Sequence, residues 1–259
     1  MKISAAMIIK NESRSIIRCL SSIVDAVDEI IIVDTGSTDN TIELIREFDL
    51  QHKNNIHIYN FEWVDDFSAA RNYSLSKTQY EWKLIIDGDE YLHPEDARKL
   101  SGFCKEAAAD GTKNIVIDIE YINIADNEVI GVFKEGVARL FRGGDIRFER
   151  RIHEQLTLKG VAGKRISLPI RLYHDGYDPK LVNKERKALR NVKLLGSSMQ
   201  DDPGDYMNHI YYAREITHYN KDLALQHLEE AEYLYKQQNV RNEIVENFIK
   251  LSRSEIVNS

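Results

Sequence analysis

The chain is 259 residues long, enough for one large domain or a medium domain with an appendage, and its 42% apolar and 30% charged content is that of a globular protein with an ample core. A net charge of −7 with no long basic tract argues against a duplex-DNA binder, and Cys19 and Cys104, both in apolar helical patterns, leave no disulfide framework or four-cysteine zinc site. No apolar run reaches the roughly 18 residues of a membrane span, and MKISAAMIIKNES lacks the features of a signal peptide, so a cytoplasmic protein without a transmembrane segment is expected.

The first part alternates strands and helices. Ile3 to Ile9 is a buried strand; Ile16, Leu20, Ile23, Val24 and Val27 recur at helical spacing; Glu29 to Val33 is a second buried strand. Ser37, Thr38 and Asp39 open a second helix through Ile42, Ile45 and Phe48. A third strand falls near Ile56 to Tyr59, a helix over Phe67 to Thr78 is capped by Asp66, and Trp82 to Ile86 is the fourth strand. Strands joined by helical crossovers predict a parallel sheet covered on both faces, an α/β sandwich that binds ligands at the carboxyl ends of its strands.

After residue 110 the pattern changes. Ile115 to Ile119, Gly136 to Phe141, His153 to Leu158 and Ile166 to His174 read as strands that add mixed or antiparallel members to the sheet, with Pro169 at an edge. From about Pro179 onward, residues 180–199, 205–219, 222–238 and 243–257 read as helices. Ala224, Leu228, Ala231 and Tyr235 form one apolar stripe. The helix pairs are similar to tetratricopeptide repeats, but about one and a half repeats need a neighbour to cover them. This tail is expected to dock on the first domain, to form a homodimer with a second copy, or to belong to something longer. The domain expectation is 1–178 and 179–259.

The chemistry-bearing residues lie just past the strands. Asp87, Gly88, Asp89 and Glu90 follow WKLII, and alternation puts Asp87 and Asp89 on one side, where both can reach one cation. A surface turn is the plain alternative. Asp34 can accept from a ribose or base, Gly36 allows close backbone approach, and Ser37 and Asp39 are equally well explained as caps. Asn11 and Glu12 follow the first strand at the same rim. Arg71, early in the third helix, can face a phosphate or uracil carbonyl or simply water. Arg139, Arg142, Arg147, Arg150 and Arg151 have only Phe141 and Phe148 between them, which fits a diphosphate or acidic acceptor better than nucleic acid. Phosphatases of the haloacid-dehalogenase type also use Asp-x-Asp, but with Thr or Val where this chain has Tyr91.

Taken in order, AMIIKNES, CLSSIVDAVDEIIIVDTGSTDNT, FEWVDDFSAARNYSL and WKLIIDGDEYL resemble the inverting, family 2 GT-A glycosyltransferases over about the first 95 residues. RLFRGGDIRFERRIHEQ and LYHDGYDP look like the later part of the same domain. The whole is most similar to the peptide S-glycosyltransferases of glycosylated-bacteriocin biosynthesis, which also carry a tetratricopeptide-like tail, and to lipopolysaccharide-core glucosyltransferases. The resemblance implies a GT-A Rossmann-like sandwich with a mixed central sheet, followed by a C-terminal α-helical region. It makes Asp89 the direct ligand of Mn²⁺ or Mg²⁺, Asp87 a ribose or metal contact, and His174 the late histidine that completes the metal shell. Asn11, Glu12, Asp34 and Arg71 would line the nucleotide pocket, and Glu154 would be the catalytic base. For His153 a site role and a hydrogen-bonded rim position stay equally open.

The implied reaction moves a sugar from a nucleotide sugar, UDP-glucose or a similar UDP-hexose, to a peptide, glycan or lipid-linked acceptor. Thr35 stands where many relatives have a second carboxylate. The Gln-x-x-Arg-Trp signature of processive synthases is absent, which implies one or a few sugars per acceptor. A nucleotidyltransferase shares the architecture but wants a Gly-rich first loop in place of IIKNES. A non-catalytic helical-repeat scaffold would not need the Asp-x-Asp pair, and a hydrolase needs an acceptor site open to water.

Overall fold

A computed structural model describes residues 1–52, 55–134, 137–144, 146–158, 163–176, 184–238 and 241–258. The chain forms two compact units, one of residues 1–149 and 154–182, the other of residues 150–153 and 183–259. The expected boundary at 178/179, with Pro179 and the start of the helix at 180, lies outside the described residues.

In the first unit, β1 (Ile3–Ile9), β2 (Glu29–Asp34), β3 (Ile56–Asn60) and β4 (Trp82–Ile85) run parallel in the order β3-β2-β1-β4. The connecting helices are α1 (Ile16–Ile23), α2 (Thr41–His52) and α3 (Phe67–Ser76). Every residue of β1 and β2 is buried, as expected of parallel strands covered on both faces. α1 buries Ile16, Cys19, Leu20 and Ile23 against them, about 1.5–3 kcal/mol for each large aliphatic side chain. The helix ends at Ile23, so Val27 falls beyond it. Asp66 caps α3 by accepting from the Ala69 amide at 2.9 Å.

β5 (Glu90–Leu92) and α4 (Pro94–Ala107) follow, then β6 (Ile115–Ala125), β7 (Glu128–Phe133), β8 (Ala138–Arg142), β9 (Ile146–Glu149), β10 (Gln155–Leu158) and β11 (Lys164–His174). The sheet is mixed, in the order β3-β2-β1-β4-β8-β6-β11-β5, with β7 paired to β6 and with β9 and β10 as a separate pair. β5, α4, β7 and β9 are additions to the sequence reading. Gly136, expected to open β8, lies outside the described residues, and His153, expected in a strand, stands before β10 with φ of 52°. Among the described residues, Pro169 falls where β11 has only β6 beside it, because β5 pairs with Leu172 to His174 alone. The register of β11 against β6 shifts there, between Leu168 and Arg171.

The second unit contains α5 (Lys184–Asp201), α6 (Tyr206–Ile216), α7 (Lys221–Gln237) and α8 (Glu243–Asn258). The stripe Ala224, Leu228, Ala231 and Tyr235 is buried with Ile210, Ala213 and Ile249. Residues 150–153 belong here: Arg150 pairs with Asp205 at 3.0 Å, Arg151 with Asp201 at 2.5 Å, and His153 stacks on Tyr211 at 3.8 Å.

His209 and His227 bring their Nδ1 atoms within 3.1 Å, beside the Tyr212 ring. One proton fits between two such nitrogens. Burial lowers both pKa values, helped in His227 by His209 and opposed in both by Glu230. A histidine with a depressed folded pKa binds fewer protons than in the unfolded chain, so its stability is present above the unfolded value of about 6.5 and lost as pH falls. Thermal unfolding of the helical unit should therefore move to lower temperature on acidification through this range. A His227→Gln variant should show a weaker pH dependence; an unchanged one would contradict the assignment.

Candidate functional site

The site is built at the carboxyl ends of the strands. Asn11 and Glu12 follow β1, Asp34 ends β2, Asp87 and Asp89 follow β4, and His174 ends β11, while Arg71 comes from α3 and Glu154 stands before β10. The structure brings Arg71, Asp87 and Glu154 into one chain of ion pairs. Arg71 Nε donates to Glu154 Oε1 at 2.6 Å and Arg71 Nη2 lies 2.9 Å from Asp87. The helix arginine is therefore buried inward, and its Nη1 has no hydrogen-bond partner among the described residues. Glu154 thus has Arg71 as its ion-pair partner.

A second buried cation, Arg139 of β8, bridges Asp87 at 3.2 Å and Glu90. Glu90 is fully buried; it also accepts from the Tyr121 hydroxyl at 2.8 Å and the Asp87 amide at 2.9 Å. Withdrawal from water works against the Asp87 carboxylate, but Arg71 and then Arg139 hold it well below the usual carboxylate range. In Glu90 burial wins over the pull of Arg139, with Asp87 and Asp89 adding to it, and its pKa rises. Both arginines stay charged.

Asp89 and His174 form the second part of the site, with Asp89 Oδ2 3.3 Å from His174 Nε2. His174 Nδ1 lies 2.8 Å from Asn123 Oδ1. An amide oxygen only accepts, so Nδ1 carries a proton there, and Nε2 faces the Asp89 carboxylate. A proton on Nε2 or a cation beside it joins the two groups at that separation. Burial lowers the His174 pKa, but the Asp89 hydrogen bond and the charges of Asp89, Glu90 and Asp87 outweigh it and raise the value. A Cβ on Gly176 would collide with both Asp89 Oδ2 and His174 Nε2, so only glycine lets the chain pass this close. Asp175, between them in sequence, is gripped by Arg14 at 2.8 and 2.9 Å and by Arg18 at 2.8 Å, which fixes the end of β11.

No group of three or more His, Cys, Asp or Glu side chains among the described residues could by itself hold a metal. A divalent cation still fits Asp89 and His174, because Mg²⁺-type sites are commonly completed by water and substrate phosphates. Glu12 points the same way: burial first, then Asp89 and, more weakly, Asp87, push its carboxyl up to about 7, against the Ser15 hydroxyl that donates to it at 2.9 Å. A Cβ on Gly88 would lie 2.7 Å from Glu12 Cγ, so this loop too is packed without room for a side chain.

Asn11 and Asp34 both fasten the loop after β2. Asn11 Oδ1 accepts from the Thr38 amide at 2.7 Å and its own amide donates to Ser37 Oγ at 2.9 Å, while Ser37 donates both its amide and hydroxyl to Asp34. Asp39 is a capping residue, accepting from the Thr41 amide at 3.1 Å. Thr35 donates to the Ile9 carbonyl at 3.0 Å, tying β2 to β1. The arginine group divides: Arg139 belongs to the site, whereas Arg142 pairs with Glu81 and Arg150 and Arg151 with aspartates of the helical unit.

Arg139, Glu90, Tyr121, Asn123 and Asp175 complete the site without having been singled out from sequence for these parts. Because Arg139 is largely buried between two carboxylates, Arg139→Met leaves both uncompensated and should cost about 3–5 kcal/mol of stability. Denaturant unfolding checks this, and a loss under about 1 kcal/mol would show the pair to be solvated.

The family model described as Glycosyl transferase family 2 matches residues 4–149. The SPbeta prophage-derived glycosyltransferase SunS of Bacillus subtilis (strain 168) is 27% identical over 253 residues, covering 96% of this chain and 57% of SunS. A TPR repeat-containing protein of Synechococcus elongatus is 33% identical over 214 residues, covering 79% of this chain and 49% of that protein. The crystal structure of S. aureus TarS 1-349 in complex with UDP-GlcNAc superposes with a TM-score of 0.54 at 14% identity, over 100% of this chain and 89% of that one, a likeness of fold. The chain thus spans about half the length of the curated relatives it matches. No helix among the described residues is long and apolar enough to cross a membrane. With the family model matched over more than half of its length, and with its acidic pair at the end of β4, the chain belongs to glycosyl transferase family 2.

Proposed function

We propose that the protein transfers a sugar, with inversion, from a nucleotide sugar to a peptide, glycan or lipid-linked acceptor. The observation that carries this reading is the Asp89–His174 pair beside the Arg71–Asp87–Glu154 chain in a family 2 fold. UDP-glucose or a similar UDP-hexose is the donor we favour, supported by the UDP-GlcNAc named in the TarS complex. Residues 1–178 are proposed as the catalytic domain and 179–259 as a tetratricopeptide-like region.

Asp89 and His174, with Asp87 beside them, would hold Mn²⁺ or Mg²⁺, which when bound neutralises charge that builds on a departing diphosphate. Arg71 has a spare buried donor, Nη1, for the same anion. Asn11 and Asp34 keep the nucleotide-side loops in place before the donor arrives. Inversion takes one displacement and needs a base on the face opposite the leaving group. Glu154 supplies it: Arg71 fixes Oε1, which leaves Oε2 to take the acceptor proton.

Asp89→Ala should abolish Mn²⁺-dependent UDP binding by calorimetry while the fold persists, and His174→Ala should weaken it; undiminished binding in Asp89→Ala would remove the pair from this role. Glu154→Gln keeps an oxygen for Arg71 but cannot take a proton. With an alcohol acceptor it should lower kcat by roughly two orders of magnitude or more and leave UDP affinity nearly intact. A thiol acceptor, partly ionised already, should soften the effect. Near-normal turnover on the alcohol would make Glu154 only an anchor for Arg71.

A further inference from the structure

β7 exposes every large side chain it has: Val129 is 59% exposed, Ile130 56%, Val132 47% and Phe133 53%. Among the described residues it pairs with β6 alone, so its outer edge carries backbone donors and acceptors with no neighbouring strand. Edges of this kind are normally blunted by lysine, proline or bulges. β7 has one bulge, at Ile130, where Asn123 pairs with Gly131 and Ile124 with Val129, and its single ionisable residue is Glu128. Gly131 to Phe133 remains regular and apolar.

The strand pairing shows where that edge lies. β8 pairs with the first half of β6 and β7 with the second half, both antiparallel, so β7 continues the line of β8. On the far side of β8 runs β4, paired as far as Leu84 with Leu140, which then ends and turns into Asp87 and Asp89. The outer edge of β7 therefore borders the lane that β4 vacates, just past Arg139 and the Asp87 it holds. Phe133 pairs with Tyr121 and Gly131 with Asn123, which puts them on the sheet face of the Glu90 and His174 partners. Val132 and Val129 pair with Ile122 and Ile124 on the other face.

We infer that the outer edge of β7 is the docking rail for an extended stretch of acceptor polypeptide, which adds to the sheet as a strand in this lane. Its alternate apolar side chains pack on Phe133 on one face and on Val129 and Val132 on the other. The inference rests on the sugar-transfer reading and adds where, and in what conformation, the acceptor is held. A row of strand backbone groups is matched best by another extended backbone. A polyol phosphate or other anionic glycan would need cations, and β7 offers only Glu128 before Lys134. A strand in this lane passes the end of β4, where a side chain leaving its backbone reaches the site.

The test uses the full chain and short synthetic peptides with Ser or Cys at the centre and all other positions randomised. Hydrogen exchange of residues 128–134 should slow by roughly tenfold or more with the peptides and not with UDP. Bound or glycosylated peptides should be enriched in β-branched and aromatic residues at alternate positions. Val129→Lys with Val132→Lys, on the face away from the donor groups, should raise the acceptor KM by about tenfold or more while UDP affinity holds within about twofold. The inference is overturned if no peptide protects β7, if selection is flat, or if the lysine variant keeps its acceptor KM. Protection by poly(ribitol phosphate) in place of peptides, or protection that grows with protein concentration alone and marks a second copy, overturns it too. UDP binding with Mn²⁺ is measured alongside. Its absence removes the sugar-transfer reading, while its presence without a peptide effect removes only the rail.

Discussion

Carboxyl groups of Glu12, Asp87, Asp89, Glu90 and Glu154 crowd around the end of β4, and the buried Arg71 and Arg139 offset only part of their charge. In a region of low effective dielectric such crowding is expensive, because like charges repel strongly and have little water to screen them. Burial first and then Asp89 push the Glu12 carboxyl up to about 7, and the Asp89 hydrogen bond with the charges of Asp89, Glu90 and Asp87 raises the His174 pKa despite burial. Asp89 and His174 face each other at 3.3 Å within this crowded group.

The mixed sheet serves this electrostatic arrangement. If the sheet had stayed parallel, the strand beside β4 would have needed a crossover. The antiparallel β8 instead places Arg139 directly next to the acidic turn, and β6 and β11 on its far side bring Tyr121, Asn123 and His174 into line with it. On the other flank, Asn11, Ser37 and Asp34 tie the loops after β1 and β2 together. These loops are held by their own side chains before any ligand is present, so little ordering is left to be done on binding.

Much of this was legible in the amino-acid order. Buried parallel strands announce themselves as unbroken aliphatic runs, which is why β1, β2 and β4 were found, and their carboxyl ends then located Asn11, Glu12, Asp34, Asp87 and Asp89. α4 was missed although Ala97, Leu100, Cys104 and Ala107 have helical spacing and Pro94 follows a capping histidine; its polar sequence hid the stripe. β5 is too short for periodicity to register, and β7 is exposed on both faces, so no alternation marks it. The roles of Arg139 and Glu90 depend on strands far apart in sequence coming together, which local pattern does not encode. Arg71 illustrates the same limit: its helix was expected, but not that it turns inward to join Asp87 and Glu154.

The irregularity at Pro169 has a property that matters more than its size: it is even. Before it, Leu168 stands opposite Ile119; after it, Arg171 stands opposite Glu120, so β11 skips two residues against β6. Side chains alternate with a period of two, and an even slip conserves parity. His174 consequently still meets Asn123 on the face that looks toward Asp89. An odd insertion or deletion anywhere between the start of β11 and His174 would turn the imidazole to the opposite side of the sheet, with the backbone pairing otherwise able to re-form. Length changes in this strand are thus not graded in their effect: they divide by odd and even.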